Sequence, residues 1–227
     1  MNIYLNKIKY FFLTCDTNGI RKKHMVEEFS NLNLNEIHPV LNIEKFQSVA
    51  TGFSRMIDMG LKSQDITKPF QPFGLFEDDV SKFREFPDNI KIPNDTDILY
   101  IGLSKCGMNL TSWMYKTYYS EIDDNIIRIY NMLSLHGIII CSASGALAVQ
   151  KCMMETYFKI NKCCDTFMAH IQPYYNIYAL KIPLVYQDKR FKGLEPQTKI
   201  IIDDVCNEEI PEKYINKSNI SIITCNK

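Results

Sequence analysis

The chain carries no net charge: Lys and Arg together number 26, Asp and Glu number 26, and no stretch gathers the basic residues into a block. That absence argues against nucleic acid as the principal partner, because a phosphate backbone is bound by concentrated positive charge. Also missing is any apolar run approaching the roughly 20 residues a helix needs to cross a bilayer, so no transmembrane segment is expected. The first residues, Met1-Asn2-Ile3-Tyr4-Leu5-Asn6-Lys7, lack the continuous apolar core of a signal peptide, which makes the cytoplasm the expected compartment. No C-x-x-C pair occurs among the eight cysteines, so zinc-ligand spacing is absent; most sit in apolar segments and read as reduced core thiols. Sequons at Asn109, Asn216 and Asn219 follow from an Asn-rich composition.

What is there is enough apolar material for one substantial core: 227 residues, 46% of them hydrophobic. The expected organisation is one domain over residues 1–198 and a C-terminal tail over 199–227 that could add an edge strand, mediate a homodimer or be partly disordered.

The chain is organised around Phe73-Gly74-Leu75-Phe76-Glu77-Asp78-Asp79-Val80, a short apolar run ending in three consecutive carboxylates. The run reads as a buried strand, and the C-terminal edge of an open α/β sheet is where ligands are placed. Three adjacent like charges repel, so a cation must compensate them or water must solvate them. A hard divalent ion, Mg²⁺ or Mn²⁺, takes one or two carboxylates and fills its other positions with water and phosphate oxygens. A metal-diphosphate site and a solvated acidic turn are the two readings. Alternation along a strand puts Glu77 and Asp79 on one face and Asp78 on the other.

In chain order, Ile8–Cys15 reads as a first buried strand, broken by Asp16-Thr17-Asn18-Gly19. A helix follows over Ile20–Leu32, with Met25, Phe29 and Leu32 on one face and Arg21, Lys22 and Lys23 in the first turn. Basic residues there oppose the helix dipole unless an anion is near, so the cluster faces phosphate or is a screened surface. Asn35–Ile43 is partly extended, and Phe46–Leu61 returns to helical spacing with Val49, Phe53, Met56, Ile57 and Leu61 in one stripe. Later, Ser142-Ala143-Ser144-Gly145 separates a buried strand from a helix carrying Ala146, Val149, Met153, Tyr157 and Ile160. Ser144 suits the N-cap, and this helix start, Ser142 and Ser144, could meet a sugar or phosphate. The order predicts an α/β fold with a Rossmann-like, mixed but mostly parallel sheet flanked by helices.

These motifs resemble those of glycosyltransferase family 25, which includes bacterial lipooligosaccharide galactosyltransferases and the collagen glycosyltransferases. The resemblance rests on Tyr10-Phe11-Phe12-Leu13-Thr14 with Arg21, on Gly74 to Val80, and on Asp97-Ile98-Leu99-Tyr100-Ile101-Gly102. It continues through His136 to Ala146, Cys164-Asp165-Thr166-Phe167 and Tyr178 to Gln187, in order from about residue 8 to 188. The opening departs from that family's Asn-Leu-x-x-Arg form.

The resemblance implies an A-type glycosyltransferase fold and transfer of a hexose, glucose or galactose, from a nucleotide-diphosphate sugar such as a UDP-hexose to a hydroxyl of a glycan or protein acceptor. It implies Mn²⁺ or Mg²⁺ on Asp79 and Glu77, and donor contacts from Thr14, Arg21, Asp78, Ser142 and Ser144. With inverting chemistry, one carboxylate must take the acceptor hydroxyl proton: Asp165, in a linker after the helix, or else Asp188. Trp113, Tyr115, Tyr118 and Tyr119 could stack on a sugar or simply pack, and His136 and His170 could add a ligand or simply pack. Arg190-Phe191-Lys192-Gly193 could fold over the diphosphate. An Asn-, Ile-, Lys- and Tyr-rich composition fits an AT-rich genome such as a giant virus, whose compartment would be the host cytoplasm. Two other classes stay open: a metal-dependent phosphohydrolase or nuclease, and a sugar-nucleotide-binding module without turnover.

Overall fold

The computed structural model describes residues 1–15, 19–108, 113–114 in backbone, 116–159 and 162–191. The expected tail over 199–227, Lys192 and Gly193 of the Arg190–Gly193 flap, Ile160, the three sequon asparagines and the side chains of Trp113 and Tyr115 lie outside them.

The chain opens with β1 (Asn2–Tyr4), β2 (Lys9–Leu13), α1 (Ile20–Glu28), β3 (Asn33–Ile37), α2 (Lys45–Lys62) and β4 (Phe73–Glu77). Short strands follow without a described helix: β5 (Val80–Lys82), β6 (Asn89–Lys91), β7 (Ile98–Tyr100), β8 (Gly107–Met108), β9 (Trp113–Met114), β10 (Tyr119–Glu121) and β11 (Ile126–Ile129). The last part is β12 (Gly137–Ile140), α3 (Ala143–Phe158), α4 (Cys164–Ile171), β13 (Ile177–Leu180), β14 (Val185–Gln187) and a 3₁₀ turn, Lys189–Phe191.

Eight strands form the central sheet in the order β10-β11-β13-β7-β12-β4-β2-β3. β2 runs parallel to β3 and β4, and β7 parallel to β13, while β12 and β11 are antiparallel to both their neighbours. The sheet is therefore mixed rather than mostly parallel by pairing: four of its seven neighbouring pairs are antiparallel. A strand buried on both faces shows as a continuous apolar run whichever way it points, so Gly137–Ile140 gives no sign of its direction in sequence.

Strand alternation sorts the core onto two faces. Phe11, Leu13, Phe73, Leu75, Tyr100 and Ile138 pack against Phe53, Met56 and Ile57 of α2, Val149 and Met153 of α3 and Met168 of α4. Tyr10, Phe12, Phe76, Leu99 and Ile139 pack on the other face with Met25 of α1 and with Phe29. There Phe76 stacks between Tyr10, at 5.3 Å, and Phe29, at 5.1 Å. Truncating Phe76 to Ala would cost about 3–5 kcal/mol. α1 ends at Glu28, short of the expected Leu32, yet Phe29 and Leu32 are buried as the helical reading required.

α2 lies close to the sheet because two of its inward positions are glycine. A Cβ on Gly52 would fall 2.1 Å from Leu13 Cδ1, and one on Gly60 2.5 Å from Phe73 Cε2. The connection from β2 to β3 carries α1 on one face, and the connection from β3 to β4 carries α2 on the other. β2 and β4 are neighbours whose outgoing chains diverge, β2 into α1 and on to β3 and β4 into the turn to β5, so a crevice opens at their C-terminal ends.

Candidate functional site at the C-terminal ends of β2 and β4

A cleft of about 610 Å³ occupies that crevice. Leu13 and Cys15 line it from the end of β2, Lys45 and Val49 from the start of α2, Arg21 from α1, and Gln187 and Phe191 from β14 and the chain after it. Its floor is Glu77, the last residue of β4, with Asp78 and Asp79 in the turn to β5.

The three carboxylates divide between the faces as alternation requires. Asp78 points towards α1, where its Oδ1 accepts from Arg21 Nη1 at 2.7 Å, and Arg21 Nη2 donates to the Phe191 carbonyl at 2.8 Å. Protein carboxylates thus meet the basic first turn of α1, with Lys22 ion-paired to Glu36 at 2.6 Å. Glu77 faces the α2–α4 side and accepts from Gln187 Nε2 at 3.0 Å, and the same amide favours the charged form of Asp79. Two buried oxygens, Asp78 Oδ2 and Asp79 Oδ1, have no hydrogen-bond partner.

Asp165 joins this group from a distant part of the chain. It lies in the first turn of α4 rather than in a linker, where a carboxylate suits the positive end of the dipole. Its charge acts on Glu77, and that of Asp79 acts on Asp165. Burial first, then the Asp79 and Asp165 charges, hold Glu77 well above the ordinary carboxylate value. Burial pushes Asp79 up to about 6, with Arg21 opposing and Asp78 adding. Asp165 is pushed up to about 6, mainly by burial.

Four of the expected site residues take other roles. Asp188 is buried, accepts from Ser81 Oγ at 2.7 Å and from Arg190 Nε at 2.9 Å, and is held well below its ordinary value, first by the Arg190 hydrogen bond. A carboxylate stabilised that strongly as the anion is a poor base. Thr14 is buried between Leu13 and Cys15, which face the cleft. Alternation turns it the other way.

Ser142 and Ser144 sit at the opposite edge of the sheet. β12 runs antiparallel to β4, pairing Ile140 with Phe73 and Gly137 with Phe76, so α3 begins where β4 begins. That is roughly 13 Å from the acidic end along the strand. Ser142, not Ser144, is the N-cap: its Oγ accepts from Gly145 N at 2.9 Å and donates to Asp97 Oδ1 at 2.6 Å, while Ser144 is exposed.

The two histidines behave as packed or surface side chains. His136 is buried with Nδ1 2.9 Å from Ser134 Oγ, burial pushing it down to about 4, and His170 is exposed at the end of α4. Tyr119 belongs to the core at the far edge strand.

Gln187, Lys45 and Cys15 escaped the sequence reading. A lysine opening α2 opposes the helix dipole and was the available signal for Lys45; Gln187, an uncharged residue closing a short strand, gave none.

Among the described residues no three His, Cys, Asp or Glu side chains come close enough to hold a metal ion by themselves. A diphosphate-bridging Mg²⁺ or Mn²⁺ requires only one or two protein carboxylates. The partnerless oxygens of Asp78 and Asp79, beside a carboxylate group short of positive charge, fit such an ion. No described helix is long and apolar enough to cross a membrane. Scanned against models of known protein families the chain gives no match, and a search of curated proteins finds none.

Proposed function

We propose that the cleft takes the diphosphate of a nucleotide sugar together with Mn²⁺ or Mg²⁺, and that the protein is a glycosyltransferase of the A-type fold, related to family 25. The observation that carries this reading is the state of Glu77, Asp79 and Asp165. Their carboxylates are held above their ordinary values at a switch-point crevice, and no described lysine or arginine forms an ion pair with them.

In this reading Asp79 would hold the ion, with Asp78 and Glu77 beside it. When bound, the ion stabilises the negative charge that builds on the departing diphosphate. Arg21, fixed by Asp78 and the Phe191 carbonyl, and Lys45, at the opposite wall, supply positive charge for the phosphates. Asp165 takes the proton of the acceptor hydroxyl as that oxygen bonds to the anomeric carbon. The bond to the diphosphate then breaks, and its electron pair leaves with the diphosphate. The donor is a UDP-hexose and the acceptor a glycan or protein hydroxyl.

Calorimetry with UDP, with and without MnCl₂, tests the binding half. Metal-dependent binding supports it, and equal or absent binding in both arms removes it. Release of UDP from UDP-glucose or UDP-galactose tests turnover, and binding without release points to a sugar-nucleotide-binding module.

A further inference from the structure

The acidic residues around the cleft are treated in two ways. Asp78 and Asp188, the two most buried, each have an arginine: Arg21 at 2.7 Å and Arg190 at 2.5 Å. Glu77 hydrogen-bonds instead to a neutral partner, the side-chain amide of Gln187 at 3.0 Å, and that amide lies near enough to Asp79 to favour its charged form. A carboxamide nitrogen carries two hydrogens, so a single amide can serve two neighbouring carboxylates. The backbone fixes where that amide comes from. Gln187 stands opposite Val80 in the β14–β5 ladder, and Asp188 N donates to the Asp79 carbonyl at 2.7 Å, so β14 is fastened to the acidic turn itself.

We infer that Gln187 is a positioning residue for the cation site: it holds Glu77 beside Asp79 without neutralising either, while Asp79 Oδ1 keeps no hydrogen-bond partner. This deepens the proposed function and rests on it. A lysine or arginine at this position would satisfy both carboxylates and cancel the charge that attracts a divalent ion. An apolar residue would keep the charge but release the two groups to repel each other. Only a neutral double donor orders the acceptors and preserves their charge. Hydrogen-bonding partners behind metal ligands typically carry 10–100-fold in metal affinity.

The test uses the full chain, with UDP binding measured with and without MnCl₂ and heat stability measured without metal. Gln187→Leu should lose about 10–100-fold of the metal-dependent gain in UDP affinity. Gln187→Lys should lose all of that gain while melting at or above the parent temperature, because the new ammonium pairs with Glu77 and Asp79. A purely structural amide predicts the reverse pattern: Gln187→Leu melts lower with the metal effect intact. Should Gln187→Leu fail to fold, Gln187→Lys still decides, and a parent-like metal effect there overturns the inference. A parent that shows no metal-dependent UDP binding removes the proposed function and this inference together. A parent that binds, with both variants within twofold of it, removes the inference alone.

Discussion

Arg21 Nη1 lies 2.7 Å from Asp78 Oδ1, joining the first turn of α1 to the turn after β4 across 57 residues of sequence. The contact gives the basic start of α1 its anion and closes one wall of the cleft. Asp78 is 5% exposed, so removing the arginine strands a buried carboxylate. Arg21→Met should cost about 2 kcal/mol, discounted from the fully buried case because Arg21 is itself partly exposed. Asp78→Asn in that background should recover part of the loss. Chemical denaturation of the two single variants and the double variant checks this, and strict additivity would deny the coupling.

Asp79→Asn should abolish metal-dependent UDP binding and make the metal-free protein more stable at pH 7.5. The folded-state value of Asp79 is raised to about 6, above its ordinary value of 3.8. Such a group contributes stability that is fully present below the ordinary value and is lost as pH rises through the folded one. The parent thus weakens between about pH 4 and 6, and the asparagine variant escapes that term. The variant's advantage should reach about 1–2 kcal/mol above pH 6 and vanish by pH 4, after discounting for partial exposure. His136, pushed down to about 4, loses stability as pH falls over the same range. It does so in both proteins and cancels in the difference between their curves, which reads Asp79 together with the relief of Glu77 and Asp165 from its charge.

Asp188→Asn should behave in the opposite sense. The Asp188 value is depressed by Arg190 and Ser81, so its contribution is present above the ordinary carboxylate range and is lost as pH falls through the folded value. The substitution should cost about 1–3 kcal/mol at pH 7, and the deficit should shrink below about pH 4. Stability curves of the two variants, read together, separate a carboxylate kept uncompensated from one fastened into the fold.

Much of this arrangement was legible in the chain because period decides it. Phe73 to Glu77 is a strand with Glu77 and Asp78 on opposite faces, and the stripe Val49, Phe53, Met56, Ile57 and Leu61 packs α2 onto the sheet as spaced. Direction was not legible: nothing in Gly137–Ile140 distinguishes an antiparallel strand, and that one reversal carries Ser142 and Ser144 to the far edge. Pairing was not legible either. Ser81 and Asp188 meet across 107 residues and Gln187 and Glu77 across 110, and no local spacing predicts such contacts.

Ser142→Ala should therefore act on stability alone. It removes the hydrogen bond to Gly145 N and the one to Asp97, and should cost about 1 kcal/mol or somewhat more. Ser144→Ala, at an exposed first-turn position, should fall within about 0.5 kcal/mol of the parent. Neither should alter UDP affinity in the presence of MnCl₂. A loss of binding in either variant would return the α3 N-terminus to the site and contradict the strand order.

Asp165→Asn separates binding from transfer. Asp165 lies close enough to Glu77 and Asp79 to sense their charges, yet it sits on α4 and is absent from the cleft lining shared by Arg21, Lys45 and Asp79. A group there influences the reacting end of a bound donor more than its grip on the diphosphate. The asparagine keeps the shape and the position in the first turn of α4 but cannot accept a proton. UDP affinity in MnCl₂ should stay within about threefold of the parent, while transfer falls by about 10²–10⁴-fold, the usual contribution of a positioned base. The parent rate should follow the deprotonated fraction of the base and rise with pH, with its midpoint below about 6 once a bound cation has lowered the value of a carboxylate beside it. Initial rates of UDP release across pH 5 to 8, with calorimetry on the same preparations, check both statements. If Asp165→Asn retains more than about a tenth of the parent rate, the proton goes elsewhere, since even the weakest positioned base supplies about a hundredfold.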